Sequence, residues 1–453
     1  MESVNPATGE RIKQYEQADS AALERALSDA TRAYADWRER PIREREQLLA
    51  DVAELLDART EEYATLMTQE MGKPISEARS EVEKCAWVCR HYAEHANAYL
   101  GATHHPSPPG TAVRTEYEPL GPVLAVMPWN FPFWQVFRFA APSLTAGNVG
   151  LLKHAPSVPG CAQAIEAVFR DAGYPDGVFQ SVPVPVALVD DAIADERVRA
   201  VTLTGSDRAG AAVASTAGKQ IKKSVLELGG SDPFIVLDDA DVEQAVETGA
   251  LARTLNGGQS CIAAKRFLVH TDVYDSFVPQ FVEAVEALSV GDPLDETTDI
   301  GPLASVDARD RLTAQVDQSV EAGATVLTGG TPLDRPGAFY PPTVLADVPE
   351  GCPAAREELF GPVAAVFEVA DDEAAIELAN DTEFGLGASI WTTDRARGER
   401  VGRRIEAGCV YLNQLVKSDP RVPFGGIKRS GYGRELAEPG IKEFVNRKTV
   451  WVE

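Results

Sequence analysis

Three short segments of the chain carry side chains that could do chemistry. Cys261 ends the stretch NGGQSC (256–261), where glycines let the backbone approach a ligand and a turn can expose the thiol to a carbonyl. Glu227 lies among apolar residues at the end of a predicted strand, where burial would raise its pKa towards that of a general base. Asn130 follows another predicted strand, and its amide could stabilise an oxyanion. Taken singly, each has a structural alternative: an inert core thiol, a paired carboxylate or a turn-forming asparagine.

The elements that must position these side chains change in type along the chain. Residues 21–100 have the apolar spacing of helices, and breaks at Pro41 and at residues 72–74 (GKP) predict three of them. A loop is predicted at 104–110 and a strand at 111–118. After Pro122, short apolar runs alternate with helical stretches, which is typical of parallel βαβ units. The predicted strands are 123–127, 149–153, 200–204, 224–228, 234–237 and, after a helix at 242–255, 266–270.

In their order along the chain, the segments around Asn130, Glu227 and Cys261 resemble motifs of the aldehyde dehydrogenase superfamily. Further stretches of the sequence agree with this resemblance. These are TGS (204–206), EELFGP (357–362), PFGG (423–426) and SGYGRE (430–435). The overall likeness is to the short bacterial-type succinate-semialdehyde dehydrogenases, through LLKHAP (151–156), RAGAA (208–212) and LELGGSDPF (226–234). The resemblance covers nearly the whole chain.

The resemblance implies an α/β fold of the aldehyde dehydrogenase type. Its parts would be a variant Rossmann dinucleotide-binding domain (1–100 and 120–229), an α/β catalytic domain (230–423) and a small β oligomerisation region. That region would combine a hairpin (101–119) with the C-terminal strand (440–453). Because a terminal apolar strand would otherwise be an exposed edge, we expect a homodimer or homotetramer.

The activity implied is oxidation of succinate semialdehyde to succinate with NAD or NADP, through a cysteine thioester. By resemblance, Cys261 attacks the aldehyde, and the Asn130 amide with the Cys261 backbone N–H holds the oxyanion. Glu227 then activates the water that hydrolyses the thioester. Glutarate semialdehyde and other small aliphatic aldehydes stay open as substrates. A cysteine-dependent hydrolase is a further alternative, although no motif places one of the six histidines beside the thiol.

The chain lacks a G-x-G-x-x-G motif, and the resemblance implies a variant dinucleotide site instead. The implied cofactor-binding residues are Trp129, Lys153, Pro156, Gly205, Ser206, Gly210, Leu228, Glu358 and Phe360. Many NAD-specific relatives carry a carboxylate three residues after the lysine, where this chain has Pro156. Without that negative charge a 2′-phosphate is not repelled, so both NAD and NADP are expected to fit.

Two residues are implied for the distal carboxylate of the substrate. Arg138 lies eight residues after Asn130, at the position of a carboxylate clamp in succinate-semialdehyde dehydrogenases, and Ser418 could be a second donor. Leu255 stands where some family members carry another arginine, with Arg253 two positions upstream. The position two residues after Cys261 is alanine, so no local disulfide switch is expected.

The charge balance excludes several classes of partner. The chain has 69 acidic and 43 basic residues, a formal net charge of −26, so neither nucleic acid nor an anionic membrane is an expected partner. Only 12 of the basic residues are lysines, a skew that favours a salt-adapted, halophilic protein over an ordinary acidic cytosolic one.

Location and metal content follow from the same inspection. The N-terminus has no basic region followed by an apolar stretch, so a cytoplasmic location is expected. The six scattered cysteines do not form a disulfide framework. Cys85, Cys89, His91 and His95 do not share one helix face, so packing is favoured over a metal site there.

Overall fold

The computed structural model describes all 453 residues, Met1–Glu453. The N-terminal part is a two-stranded antiparallel ribbon followed by four helices. Their bounds are β1 (Glu2–Val4), β2 (Arg11–Gln14), α1 (Ser20–Trp37), α2 (Ile42–Ala58), α3 (Thr60–Met71) and α4 (Ile75–Tyr99). The prediction of three helices is therefore wrong by one break, at Arg59 (φ −117°, ψ 23°). There the Thr60 hydroxyl donates to the carbonyls of Leu56 and Asp57 at 3.1 and 3.0 Å, a side-chain contact that competes with a continuous helix.

A first sheet follows the short strands β3 (Thr103–His105) and β4 (Ala112–Pro119). The elements of this part are β5 (Pro122–Met127), α5 (Trp134–Thr145), β6 (Val149–His154), α6 (Pro159–Asp171), β7 (Phe179–Ser181), α7 (Val189–Ala194), β8 (Ala200–Thr204), α8 (Asp207–Lys219) and β9 (Lys223–Glu227). Strands β5 to β9 are parallel in the order β9-β8-β5-β6-β7. The chain continues from β5 to β6 on one side and returns to β8 on the other side of β5, so the strand order reverses at β5. A crevice opens at the carboxyl ends of the strands at such a reversal.

A second sheet is built from the middle of the chain. Its elements are β10 (Asp232–Val236), α9 (Val242–Thr254), β11 (Ala264–His270), α10 (Thr271–Glu286), α11 (Val306–Glu321), β12 (Thr325–Thr328), β13 (Thr343–Ala346), α12 (Pro353–Arg356), β14 (Val363–Val369), α13 (Asp372–Asn380), β15 (Gly387–Trp391), α14 (Arg395–Gly402) and β16 (Cys409–Leu412). The strand order is β12-β13-β14-β11-β10-β15-β16, with only β12 antiparallel. Successive residues of β10 alternate between two cores, Phe234 packing on one face and Ile235 on the other. Helices cover both faces, which explains why these strands are continuous apolar runs.

The end of the chain returns to the first sheet and then leaves it. Strand β17 (Gly431–Tyr432) pairs with β9, α15 (Ala437–Ile441) follows, and β18 (Val445–Val452) pairs along β4. Strands β18, β4 and β3 form an antiparallel three-stranded sheet with β18 at one edge. The predicted loop at 104–110 is wrong for His104 and His105, because they pair with Arg114 and Val113 of β4. None of the helices combines the length and the apolar composition that a membrane span requires.

Candidate active site

The carboxyl ends of neighbouring strands in the first sheet bring the predicted residues to one edge. Asn130 follows β5, Gly205 follows β8, and Glu227 is the last residue of β9. Lys153 lies in β6, in register with Val126 of β5. The crevice at the reversal of strand order is therefore lined by residues from four parallel strands.

The turn that carries Cys261 has an unusual backbone. Asn256, Gly257 and Gly258 all have positive φ, at 58°, 60° and 71°. A Cβ at position 258 would collide with the backbone carbonyl of Gly361, so glycine is required there. Asn256 tolerates its left-handed conformation because its amide donates to the carbonyls of Asn130 and Gln259 at 2.8 and 3.1 Å. The turn thus couples the segment after β5 to the cysteine.

Cys261 lies between two cavities. Cavity A has a volume of about 260 Å³ and cavity B of about 290 Å³, and Cys261 and Gln135 line both. The cysteine backbone is fixed by Lys265, whose ammonium donates to the Cys261 and Ser260 carbonyls at 2.8 and 3.0 Å. Burial raises the pKa of the Cys261 thiol to about 12, while the positive charges of Arg138 and Lys265 act in the opposite direction.

Glu227 and Asn130 both line cavity A with Cys261. The Glu227 side chain is buried, and neither of its carboxylate oxygens has a hydrogen-bond partner. Burial, and secondly the nearby carboxylate of Glu435, hold the pKa of Glu227 well above its usual range. The buried Asn130 amide donates to the carbonyl of Gln259 at 3.0 Å. The Glu227 carboxyl group, which stays protonated to a higher pH than usual, and the Asn130 amide donor therefore line the same cavity as the thiol.

The rest of cavity A suits a flat aromatic group and a phosphate. Trp129 and Phe360 meet edge to face with ring centroids 5.8 Å apart. Gly205 and Ser206 also line the cavity, and Ser206 caps the N-terminus of α8 by accepting from the Ala209 N–H at 3.3 Å. A helix N-terminus preceded by glycine favours phosphate oxygens. These groups therefore fit the nicotinamide ring and a phosphate of a nicotinamide dinucleotide.

Glu358, Leu228 and Gly210 complete this side of the site. Glu358 and Leu228, both expected to bind the cofactor, line cavity A. The Glu358 carboxylate accepts from the Gly230 N–H at 3.0 Å and lies 3.4 Å from the Lys265 ammonium. Gly210 does not line either cavity; a Cβ there would lie 2.6 Å from a Leu228 methyl, so this glycine lets α8 pack against Leu228.

Lys153 and Pro156 lie at the same sheet edge but outside cavities A and B. The ammonium of Lys153 donates to the carbonyl of His154 at 3.2 Å, and no carboxylate lies within 4.0 Å of it. Burial lowers the pKa of Lys153. Pro156 is exposed, and places no charge beside the lysine.

Cavity B contains the two residues predicted for the substrate, Arg138 and Ser418. Arg138 is on α5, is buried, and forms an ion pair with Glu435. The hydroxyl of Ser418 accepts from the ammonium of Lys84 at 2.9 Å. Arg253 is absent from this cavity, because its guanidinium donates to the Gly258 carbonyl at 2.7 Å and supports the cysteine turn.

Residues from distant parts of the chain complete the site and were not assigned from the sequence. Glu435 belongs to the quoted SGYGRE motif, which is the one signal that could have identified it. Lys265, which holds the cysteine turn, lies in an apolar strand. Glu77 and Lys84 come from α4, where no local pattern distinguishes them from other polar helix residues.

Comparisons with known proteins identify the family of this chain. The family model described as "Aldehyde dehydrogenase family" matches residues 1–450. The chain belongs to the aldehyde dehydrogenase family. A relative from Synechocystis sp., named a probable NADP(+) succinate-semialdehyde dehydrogenase, is 53% identical over 450 residues, which is 99% of each chain. An NADP(+) succinate-semialdehyde dehydrogenase from Mycobacterium avium is 51% identical over 453 residues, covering 99% of this chain and 96% of that protein.

The solved structures show the same aldehyde dehydrogenase fold. Succinic semialdehyde dehydrogenase from Streptococcus pyogenes, in complex with NADP+, superposes with a TM-score of 0.97 at 38% identity. The match covers 100% of this chain and 99% of that one. The predicted family and α/β fold class are confirmed.

Proposed function

We propose that this aldehyde dehydrogenase oxidises succinate semialdehyde to succinate, with NADP as the preferred cofactor. The observation that carries the proposal is the position of Cys261, between a cavity whose groups suit the nicotinamide end of a dinucleotide and a second cavity that contains cationic side chains. The names of the Synechocystis, Mycobacterium and Streptococcus relatives support the same substrate and cofactor. Cavity B is at the small end of ligand pockets, which are roughly 300 to 1,000 Å³, and suits a short aldehyde.

The proposed chemistry starts with the thiolate of Cys261 attacking the aldehyde carbon. The Asn130 amide and the Cys261 backbone N–H stabilise the oxyanion of the resulting hemithioacetal. A nicotinamide dinucleotide held beside Trp129, Ser206 and Phe360 would supply the hydride acceptor, and loss of hydride from the hemithioacetal carbon converts it to a thioester on Cys261. Glu227 takes a proton from water as that water attacks the thioester, and the carboxylic acid leaves as the thiol is restored.

The preference for NADP rests on the charge around Lys153. Its ammonium has no acidic partner, and Pro156 supplies no carboxylate that would repel a 2′-phosphate. Lys153 and the N-terminus of α8 would hold the ribose phosphate and the pyrophosphate. NAD, which lacks the 2′-phosphate, makes fewer contacts with the same groups.

The test is a panel of initial rates with both cofactors. Succinate semialdehyde, glutarate semialdehyde and butanal are each oxidised with NADP and with NAD, and kcat/KM is measured from the absorbance of the reduced cofactor. We expect the four-carbon semialdehyde with NADP to give the highest value. If butanal is oxidised as efficiently, the proposed substrate is wrong; if NAD matches NADP, the cofactor preference is wrong.

Two alternatives are a dehydrogenase of glutarate semialdehyde and a cysteine hydrolase, and the structure argues only against the second. Glutarate semialdehyde has the same two functional groups and is distinguished only by the panel. A cysteine hydrolase would need a histidine beside the thiol, and no histidine lines cavity A or cavity B. Turnover of an ester without any nicotinamide cofactor would favour the hydrolase.

We also propose the division into domains and the assembly implied by the family resemblance. The first sheet supports a dinucleotide-binding domain (1–100 and 120–229), and the second sheet a catalytic domain (230–423). Residues 101–119 and 440–453 would form the oligomerisation region. Strand β18 supports this, because it is an edge strand with Trp451 exposed, which favours pairing with another subunit in a homodimer or homotetramer. Analytical ultracentrifugation of the chain with and without Trp451→Asp tests the assembly.

A further inference from the structure

Cavity B is lined by two lysines without an acidic partner, the exposed Lys417 and the partly buried Lys84. Lys84 is on α4, and its ammonium donates to the Ser418 hydroxyl and lies 4.4 Å from the centroid of the Trp134 ring. No carboxylate oxygen lies within 4.0 Å of it.

Two other charged side chains that line cavity B are already paired, while Glu77 accepts the Asn256 backbone N–H at 2.8 Å and has no cation within 4.0 Å. Arg138 is paired with Glu435, and Glu81 is paired with Lys73. The Glu81 carboxylate also accepts the backbone N–H groups of Phe133 and Trp134 at 2.8 and 2.9 Å. A ligand carboxylate would have to displace Glu435 to gain the full charge of Arg138.

Ser418 provides the second half of a carboxylate site. Its hydroxyl oxygen accepts from Lys84, so its own O–H is free to donate to a further acceptor. An anion between Lys84 and Ser418 would gain one charge-assisted and one neutral hydrogen bond. The aromatic face of Trp134 beneath the ammonium keeps the lysine in place.

We propose that Lys84, together with Ser418, is the ligand of the distal carboxylate of the substrate and determines the selectivity for anionic aldehydes. This inference rests on the proposed function, since it concerns the same cavity and the same substrate class. Arg138, held by Glu435, then contributes positive potential near Cys261 and Glu227 rather than a free clamp. The pKa values are consistent with this arrangement: burial, followed by the charge of Arg138, lowers the pKa of Lys84 to about 8, and a bound carboxylate would raise it.

The experiment compares Lys84→Met, Lys84→Arg and wild type with succinate semialdehyde and with butanal. Methionine keeps the length of the side chain but removes the charge. We expect Lys84→Met to lower kcat/KM for succinate semialdehyde by about tenfold or more, mainly through KM, and to lower kcat/KM for butanal much less. Lys84→Arg should restore most of the selectivity. Lys219→Met is the matched control, because Lys219 is exposed, is at the far end of α8 and has no ion pair.

The design separates failure of this inference from failure of the proposed function. If wild type shows no preference for succinate semialdehyde over butanal, the proposed substrate fails and the inference fails with it. If wild type has the preference and Lys84→Met lowers both substrates equally, only the inference is overturned. Competitive inhibition by succinate gives a second measurement that needs no turnover of the semialdehyde, and an unchanged inhibition constant in Lys84→Met would also overturn it. Turnover of butanal and the Tm show that each variant is folded.

Discussion

The two residues that must be deprotonated to act in the proposed reaction, Cys261 and Glu227, both have raised pKa values. Burial is the main cause for each, and it favours the neutral thiol and the neutral carboxylic acid. A neutral pair is compatible with a closed site, because two adjacent anions would repel each other. The active form of each group is the deprotonated one, so both shifts make the reaction faster at higher pH.

The raised pKa values of Cys261 and Glu227 predict how the rate depends on pH. A group with a raised pKa stays protonated to a higher pH, so the fraction of Cys261 thiolate increases continuously as pH rises. We expect kcat/KM for butanal to rise from about pH 6 to about pH 9 without a maximum near neutrality. Butanal is the suitable substrate, because its charge does not enter the profile. A maximum at neutral pH would contradict the raised pKa of the thiol.

Glu227→Gln separates the two halves of the reaction. Glutamine keeps the shape of the side chain but cannot accept a proton, so the thioester should form and then persist. We expect a burst of reduced cofactor equal to the concentration of active sites, followed by a steady-state rate at least about 100-fold below wild type. Stopped-flow absorbance measures both phases. Cys261→Ser is the control and should show neither a burst nor turnover; loss of the burst in Glu227→Gln would place this residue before hydride transfer.

The ion pair of Arg138 with Glu435 predicts a strong effect on stability. Both side chains are buried, so removing the arginine alone leaves a buried carboxylate without its partner. Arg138→Met should lower the free energy of unfolding by roughly 3 to 5 kcal/mol. The double variant Arg138→Met, Glu435→Gln should recover much of this loss, and urea unfolding measures both. No recovery in the double variant would mean that the arginine is stabilised by other contacts, such as the Phe424 ring 5.0 Å away.

At the scale of elements, the turn before Cys261 depends on three consecutive residues with positive φ. Gly258 also lies against the carbonyl of Gly361, which belongs to the EELFGP motif (357–362). The same turn is tied to α4, because the Asn256 N–H donates to Glu77 at 2.8 Å. The position of the thiol is therefore set jointly by both sheets and by a helix from the first hundred residues.

Gly258→Ala tests this dependence. The added methyl group would meet backbone atoms that cannot rotate away, and the residue would also keep an unfavourable φ of 71°. We expect a loss of dehydrogenase activity and a slower reaction of Cys261 with a thiol reagent. Gly218→Ala is the control, because no atom lies within 4 Å of its Cβ position and its φ is not positive; it should leave activity unchanged. Normal thiol reactivity in Gly258→Ala would contradict the requirement for glycine.

The sequence predicted the strands and helices that are determined by the residues they contain. The first-sheet strands, such as β8 at Ala200–Thr204, follow from apolar runs buried on both faces. The break at Arg59 was missed because no proline or glycine marks it. Of the site residues, those beside strand ends could be placed in one crevice, since parallel strands share an edge. Glu435 and Lys84 could not be placed, because their approach to Arg138 and Ser418 depends on the packing of distant segments.

At the scale of the whole molecule, the excess of arginine over lysine fits ion pairs in which one basic side chain contacts several carboxylates. Arg397 contacts Asp238, Asp239 and Asp372 at 2.6, 3.1 and 2.5 Å. The planar guanidinium has several donors and can bind more than one carboxylate, which a lysine ammonium does less effectively. Arginine therefore suits a surface on which acidic groups outnumber basic ones.

The net charge of −26 opposes the approach of an anionic aldehyde and an anionic cofactor. At about 1 M salt the Debye length falls to about 3 Å, so this long-range repulsion is screened. We expect kcat/KM for succinate semialdehyde, at saturating NADP, to increase with KCl up to the molar range. Butanal under the same conditions is the control and should change less. A flat or falling profile for succinate semialdehyde would contradict both the steering argument and the salt adaptation expected from the composition.

The location of Cys261 between cavities A and B also matters for selective inhibition. An electrophile bonded to this thiol can extend in two directions, towards the aromatic walls formed by Trp129 and Phe360 or towards Lys84 and Ser418. The aromatic direction contains groups suited to a nicotinamide, which every dehydrogenase with this cofactor must recognise. An anionic arm in cavity B would instead distinguish this enzyme from relatives that accept neutral aldehydes.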